Sequence, residues 1–247
     1  MAFHFIAILS DYIGGQRIGW HYSSESKLDK QVITEFMKKV EECGHTQLGI
    51  HKLSTDSVEW SSVVKKDSFF EDILVTHDAD LIVRQITASK KLNVHDVVKF
   101  ILSIAPVTHL KLQKLLYYAY AEYLLKTGRK LFSEPLVAFK YGPVVEEVFY
   151  TQRHNGSSII DYKEDEMFVV STDVSLPASV VRVIGADDGV AATDCIVEVL
   201  MRYKGHDARD LVDKTHQHGG PWDKVYVEGM NRPITDDVIK SLHHLVV

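Results

Sequence analysis

Residues 108–120 read Thr-His-Leu-Lys-Leu-Gln-Lys-Leu-Leu-Tyr-Tyr-Ala-Tyr and predict the clearest helix of the chain. Thr108 suits the N-cap, because its hydroxyl can accept a hydrogen bond from a free N–H of the first turn. Apolar side chains then recur with helical spacing at Leu112, Leu115, Leu116, Ala119 and Tyr123. Gly128 follows, and glycine often ends a helix because it tolerates a left-handed backbone. The pattern predicts a helix over residues 109–126 with this stripe buried.

Polar and aromatic side chains share this helix with the apolar stripe. It carries closely spaced tyrosines at Tyr117, Tyr118, Tyr120 and Tyr123. Three consecutive helix positions span about 200° of the circumference, so we expect some of these phenols to reach the surface. Exposed tyrosines favour protein interfaces, and packing in the core is the competing interpretation. Gln113 and Lys114 are either a solubilising surface pair or part of a structural or binding site.

A strand and a turn follow this helix. Residues 136–141 form a strand-like run, and Gly142-Pro143 predicts the next helix start, because proline at N1 loses no hydrogen bond. The free N–H groups of that start could instead receive a carboxylate or carbonyl from a partner. Trp222 is predicted to wedge the last two helices together. Further helix caps or helical stripes are predicted at Asn93, residues 190–203, Asp207 and Thr235.

The first part of the chain has a different pattern. Residues 3–9 are a short apolar run typical of a buried strand, and residues 17–22 predict its return strand after a turn at Gly14-Gly15. Residues 57–64 are rich in β-branched side chains and are predicted to form a strand. This part therefore predicts a small mixed α/β unit.

A polar stretch over residues 87–91 separates the two patterns. We therefore expect an α+β protein. A small mixed α/β domain over residues 1–88 is followed by a mainly helical domain with a short β element over residues 89–247.

Composition narrows the class of protein. The chain has 247 residues, of which 45% are hydrophobic and 25% charged, enough to bury a sizeable core. The net charge of −6 argues against broad binding to nucleic acid, which needs an excess of basic side chains. Cys43 and Cys195 are expected to be buried thiols in a reducing compartment.

The N-terminal apolar run ends at Asp11 and predicts a strand, since a signal peptide has a basic start. No apolar run approaches the roughly 20 residues that cross a bilayer. We therefore expect a cytoplasmic protein without a membrane partner.

Several separated motifs resemble the Panacea domain, also called the SocA-like antitoxin domain. They are Leu-Lys-Leu-Gln-Lys-Leu-Leu-Tyr-Tyr at 110–118, Lys-Tyr-Gly-Pro-Val-Val at 140–145, Gly-Gly-Pro-Trp at 219–222 and Ile-Thr-Asp-Asp-Val-Ile at 234–239. The resemblance covers residues 92–245, and the motifs occur in the family's order. The unit before it carries none of these motifs.

The resemblance implies a bacterial antitoxin of a type II toxin–antitoxin system, often carried on a prophage. Such proteins neutralise a cognate toxin by direct contact, and at least one member is thought to deliver its toxin to a protease. No enzymatic activity, cofactor or metal is implied, and a homo-oligomer stays open. The residues expected to contact the partner are Gln113, Lys114, Tyr117, Tyr120, Lys140, Tyr141, Gly142, Pro143 and Trp222.

Two other functions compete with this interpretation. The first is a DNA-binding autorepressor, against which stand the negative charge and the lack of a basic helix-turn-helix pattern. The second is a metal-dependent hydrolase built around His77, Asp78 and Asp80. A zinc site needs three or four converging ligands, and neither this cluster nor His216 with His218 has a partner motif at a recognisable spacing.

The first unit is a candidate source of partner specificity, because the family motifs lie outside it. Trp20, Tyr22 and Trp60 could form a contact surface there. Burial of these three aromatic side chains in the unit's own core is an equally good interpretation.

Overall fold

The chain forms two compact units in a computed structural model that describes residues 1–9, 17–44, 47–88, 90–169 and 174–247. The first unit comprises Met1–Lys90 and Glu164–Asp187, and the second comprises Lys91–Lys163 and Asp188–Val247. The first is mixed α/β and the second is mainly helical with a small sheet, which confirms the predicted fold class. The predicted turn at Gly14-Gly15 lies outside the described residues.

The elements alternate irregularly along the chain. The strands are β1 (Ala2–Leu9), β2 (Arg17–Ser24), β3 (Leu48–Thr55), β4 (Ile73–Thr76), β5 (Leu136–Phe139), β6 (Gly142–Val145), β7 (Met167–Val169), β8 (Ser175–Pro177) and β9 (Arg232–Pro233). The helices are α1 (Lys30–Glu42), α2 (Trp60–Lys66), α3 (Ala79–Thr87), α4 (Val94–Ile104), α5 (His109–Thr127), α6 (Glu146–Gln152), α7 (Ala178–Ile184), α8 (Gly189–Arg202), α9 (Ala208–Thr215), α10 (Pro221–Val225) and α11 (Asp236–Leu242).

The described strands of the first unit form a six-stranded sheet with the order β3-β1-β2-β4-β7-β8. Strand β2 pairs in parallel with β4, and the other pairings given by the register are antiparallel. Successive residues of β1 point to opposite faces, so Phe5 and Ala7 enter one core while Ile6 and Ile8 enter the other. Burial on both faces explains why β1 is apolar at every position except His4 and does not alternate.

The sheet of the first unit is completed by a late segment of the chain. Strand β7 pairs with β4 at Val75 and Val169, and Phe168 is fully buried in the core that also holds Phe5. The first unit therefore includes residues 164–187, which the expected division into two consecutive domains assigns to the second. The division near Lys90 lies beside the expected boundary at residue 88.

One predicted strand of the first unit is wrong. Residues 57–64 contain the start of helix α2, not a strand. Trp60 and Val63 lie three positions apart and are both buried in the core with Phe70. This helical spacing of two core contacts outweighs the weak strand preference of the β-branched side chains.

The aromatic side chains of the first unit mostly serve its cores. Trp20 and Trp60 are buried, one in each core, and Tyr22 is partly buried. For the two tryptophans this confirms the packing interpretation and removes them from any contact surface.

Helix α5 is the centre of the second unit. Helices α4, α6, α8, α9 and α11 and strand β6 pack around it. The predicted stripe is buried as expected, with Leu115 and Leu116 almost fully enclosed. The expectation that some tyrosines reach the surface is wrong, because Tyr117, Tyr118, Tyr120 and Tyr123 are all buried. Because neighbours surround most of α5, its buried side chains are not confined to one face, and exposure is left to residues near its end, such as Leu125.

Most of the helix ends predicted for the second unit are confirmed, namely the caps at Thr108, Asn93, Asp207 and Thr235 and the end at Gly128. The Thr108 hydroxyl accepts from Lys111 N, and Gly128 ends α5 with φ of +75°. Asn93 caps α4 and Asp207 caps α9, each in a capping box, and the Thr235 hydroxyl caps α11. These ends are local features, which is why the sequence predicts them.

The expectations for the cysteines and for membrane-spanning helices concern residues that the structure describes. Cys195 is buried and Cys43 is half-buried, and both are free thiols. Among the helices that the structure describes, none is both long enough and apolar enough to cross a bilayer.

Candidate partner-binding hairpin

Strands β5 and β6 form a tight hairpin with Lys140 and Tyr141 at its tip. Phe139 pairs with Gly142, which leaves a two-residue loop. Gly142 has φ of +95°, as in a hairpin that turns through a G1 bulge. The predicted helix start at Gly142-Pro143 is therefore wrong, and α6 begins at Glu146. Pro143 lies in the edge strand β6, where its missing N–H is tolerated.

A buried lysine fastens the second strand of the hairpin. Lys114 Nζ donates to the Pro143 carbonyl at 2.8 Å, and the whole side chain is enclosed. Burial lowers the pKa of Lys114 well below its ordinary value, because the ammonium loses its hydration. A Cβ at residue 142 would lie only 2.6 Å from Lys114 Nζ, so only glycine lets the strand approach this closely.

Gln113 holds the same strand, β6, two residues further on at Val145. Its Oε1 accepts from Val145 N at 2.8 Å, and its side chain is fully buried. The interpretation of Gln113 and Lys114 as a solubilising surface pair is therefore wrong. The pair is a structural clamp between α5 and β6, and a partner-binding role for it stays a prediction.

Trp222 fastens the first strand of the hairpin. Its Nε1 donates to the Phe139 carbonyl at 2.7 Å. Its ring stacks on His216, with centroids 3.6 Å apart and planes 4° apart, and on Tyr226 at 4.4 Å. Burial first, and the charge of Lys114 second, lower the pKa of His216. Trp222 thus joins the region after α9 to the hairpin, in addition to any role between the last helices.

The predicted tyrosine contacts lie inside the second unit. The Tyr117 hydroxyl is hydrogen-bonded to His243 Nδ1 at 3.1 Å, and the Tyr120 hydroxyl donates to Asp236 Oδ1 at 2.8 Å. Burial raises the pKa of both phenols. These bonds tie α5 to the C-terminal region of the chain.

The exposed part of the predicted site is the hairpin tip. Tyr141 is 58% exposed, and Lys140 is exposed beside it with its Nζ 5.7 Å from the centre of the Tyr141 ring. Gly142 and Pro143 are buried directly below. The structure therefore separates the predicted residues into a buried clamp and an exposed tip.

The clusters considered for metal binding have other contacts. The Asp78 carboxylate caps α3 by accepting from Asp80 N and Leu81 N. Asp80 pairs with Lys39 at 2.5 Å, which lowers the pKa of its carboxyl. In the described ranges, no group of three or more His, Cys, Asp or Glu side chains could hold a metal ion.

A buried histidine pair in the first unit was not predicted. His4 Nδ1 lies 2.9 Å from His21 Nε2, and His4 Nε2 lies 2.7 Å from Thr55 Oγ1. Since Thr55 Oγ1 donates to the Ser57 carbonyl, His4 must donate to Thr55 and His21 must donate to His4. Burial lowers the pKa of His21 to about 3. The only sequence signal was a histidine at a buried position in each of two adjacent strands.

An apolar groove in the second unit was also not predicted. Ile104, Val197 and Met201 line it and are exposed to solvent. Val197 and Met201 lie four positions apart in α8, away from the stripe expected to be buried. That second apolar pair in an otherwise amphipathic helix was the available signal.

The hairpin, the clamp and Trp222 all lie within one recognisable domain. A model of the family described as antitoxin SocA-like, Panacea domain, matches residues 112–223. By this match, the chain is a protein with a SocA-like antitoxin domain.

A curated relative extends this match. Antitoxin SocA of Caulobacter vibrioides (strain NA1000 / CB15N) is 32% identical over 144 residues, which cover 55% of this chain and 71% of the relative. The chain belongs to the SocA-like Panacea antitoxin family. No solved structure matches the chain significantly.

Proposed function

We propose that this chain neutralises a cognate toxin by direct protein contact, and that the hairpin tip at Lys140 and Tyr141 takes part. The single observation that carries the contact site is an exposed tyrosine at the tip of a hairpin whose two strands are hydrogen-bonded to buried side chains of the antitoxin domain. Family membership supports the antitoxin role, since the relative is itself named as an antitoxin.

The hairpin suits binding because contacts within the fold already order its two strands. Lys114 and Gln113 hold one strand and Trp222 holds the other. A contact residue that is ordered before binding loses little conformational entropy on association. Tyrosine offers a large ring and a hydroxyl with few rotatable bonds, which is why it is frequent among interface hot spots.

The test uses the protein encoded beside this chain's gene as the toxin. Tyr141→Ala should weaken its binding by roughly 30-fold or more, as loss of a hot-spot residue does. It should reduce growth rescue on co-expression. Far-UV circular dichroism should be unchanged, because the Tyr141 side chain is 58% exposed.

Tyr150→Ala is the matched control. Tyr150 is 52% exposed and lies on α6, not on the hairpin. It should bind the toxin as the unsubstituted chain does. Equal binding by both variants would remove the hairpin tip from the proposal, and absence of binding by the unsubstituted chain would refute direct neutralisation.

Two fates of the bound toxin fit this proposal. In occlusion, the complex persists and the toxin is inactive but stable. In delivery to a protease, the chain acts as an adaptor and the toxin disappears. Measuring the toxin's half-life in cells with and without this chain separates them, because only delivery shortens the half-life.

We further propose that the first unit contributes partner specificity. The matched family region begins at residue 112, after the N-terminal part of that unit. A domain that binds different toxins needs a variable surface to tell them apart. Substitutions at the exposed positions of strand β3, such as Ile50 and Lys52, should then change which toxin is bound, without changing the hairpin.

A further inference from the structure

The second unit contains an apolar groove between the end of α4 and helix α8. Its volume is about 410 Å³, and Leu115 of α5 lies among its lining residues. Ile104 and Val197 line it and stand exposed, as does Met201, which is 67% exposed. Large apolar side chains that face water together mark sites of association more often than isolated ones do.

The spacing of the exposed side chains suits a partner helix. Val197 and Met201 lie one helical turn apart on α8, and Ile104 comes from α4. Grooves between helices receive the apolar face of an amphipathic helix, whose anchoring residues repeat every three or four positions.

The ionisable side chains that line the groove are both basic. Its ionisable lining residues are Lys111 and Lys204. Lys111 Nζ donates to the carbonyls of His206 at 2.6 Å and Lys204 at 3.4 Å, and its charge also interacts with the nearby Asp207 carboxylate. Lys204 is exposed and has no ion pair in the part of the chain that the structure covers. A complementary occupant therefore carries a carboxylate beside its apolar residues.

We propose that this groove binds an amphipathic acidic segment of the toxin, with at least two large apolar side chains spaced one helical turn apart. The inference rests on the proposed function and adds a second contact surface to it. A second copy of this chain is a poor occupant, because a two-fold contact of groove on groove would place lysines against lysines.

The test places a carboxylate in the groove of the full-length chain. Met201→Glu should weaken binding of the neighbouring-gene protein about tenfold or more in calorimetric titrations. Lys204→Glu should also weaken it, and the remaining affinity should depend less on salt. Tyr150→Glu is the control, since Tyr150 is 52% exposed, lies on α6 and is not among the residues that line the groove. It should bind within about twofold of the unsubstituted chain.

The outcomes separate this inference from the proposed function. If the unsubstituted chain binds and both groove variants bind equally well, the groove inference is wrong and direct neutralisation stands. If Met201→Glu only converts a dimer to a monomer in sedimentation, the groove is a self-association surface and the inference is wrong. If the unsubstituted chain does not bind, the proposed function fails first.

Discussion

Alanine in place of Gly142 should release the clamp that holds the hairpin. An L-residue with left-handed backbone costs about 1–2 kcal/mol relative to glycine. The new Cβ would also lie 2.6 Å from Lys114 Nζ and 2.8 Å from Thr215 Oγ1. Both neighbours are buried, so relieving the clash adds about 1–3 kcal/mol, as overpacking of a core does. We expect Gly142→Ala to lower the free energy of unfolding of the second unit by about 2–5 kcal/mol.

Gly128→Ala separates the two causes. Gly128 also has a positive φ, +75°, but a Cβ there would meet nothing within 4 Å. Its replacement should therefore cost only the conformational part, about 1–2 kcal/mol. The difference between the two variants measures the close approach of Gly142 to Lys114.

Urea unfolding of both variants gives the two free energies, and hydrogen exchange locates the loss. The Val145 amide, which donates to Gln113 Oε1, should exchange faster in Gly142→Ala and at the original rate in Gly128→Ala. Equal destabilisation by the two substitutions, with Val145 still protected, would refute the tight clamp.

Further substitutions and pH test the rest of the fold. Leu116→Ala should cost about 2–5 kcal/mol, because it leaves a cavity in the core; a loss below about 1 kcal/mol in thermal melts would contradict its burial. Trp222→Phe should cost about 1–3 kcal/mol, since the Phe139 carbonyl loses a buried donor. Burial lowers the pKa of His21 to about 3 and that of His243 to about 4. The unfolded chain therefore binds protons first as pH falls. Stability is full above about pH 6.5 and declines below it by up to about 1.4 kcal/mol per pH unit for each histidine; unchanged urea midpoints between pH 7 and pH 5 would contradict this.

The sequence predicts the local features of this fold well. The caps at Thr108 and Asn93 and the end at Gly128 depend on a few adjacent residues. Contacts between residues far apart in the chain have no such local sequence pattern. The burial of most of α5 requires packing by helices up to α11, and the Tyr120 hydroxyl gains its hydrogen bond to Asp236 only from that packing.

The candidate site was predicted in part for the same reason. Lys140 and Tyr141 were predicted to contact the partner, which stays a prediction, but the hairpin was missed because Gly-Pro suits both a helix start and a G1 bulge. Pairing with β5 decides between them, and Gln113 and Lys114 of α5 hold β6 in that position.

The late segment of the first unit limits how its proposed role in specificity can be tested. A fragment that begins after Lys90 would retain β7 without its partner β4. Phe168, which is fully buried among residues such as Phe5 and Trp20, would then face water. Such a fragment should aggregate for reasons unrelated to toxin recognition, so its failure to bind would say nothing about specificity. Substitutions on the intact chain avoid this fault. Ile50, which is exposed on the edge strand β3, is a suitable position. If Ile50→Glu changes the choice among toxins while Tyr141→Ala weakens all of them, the two units divide selectivity and affinity between them.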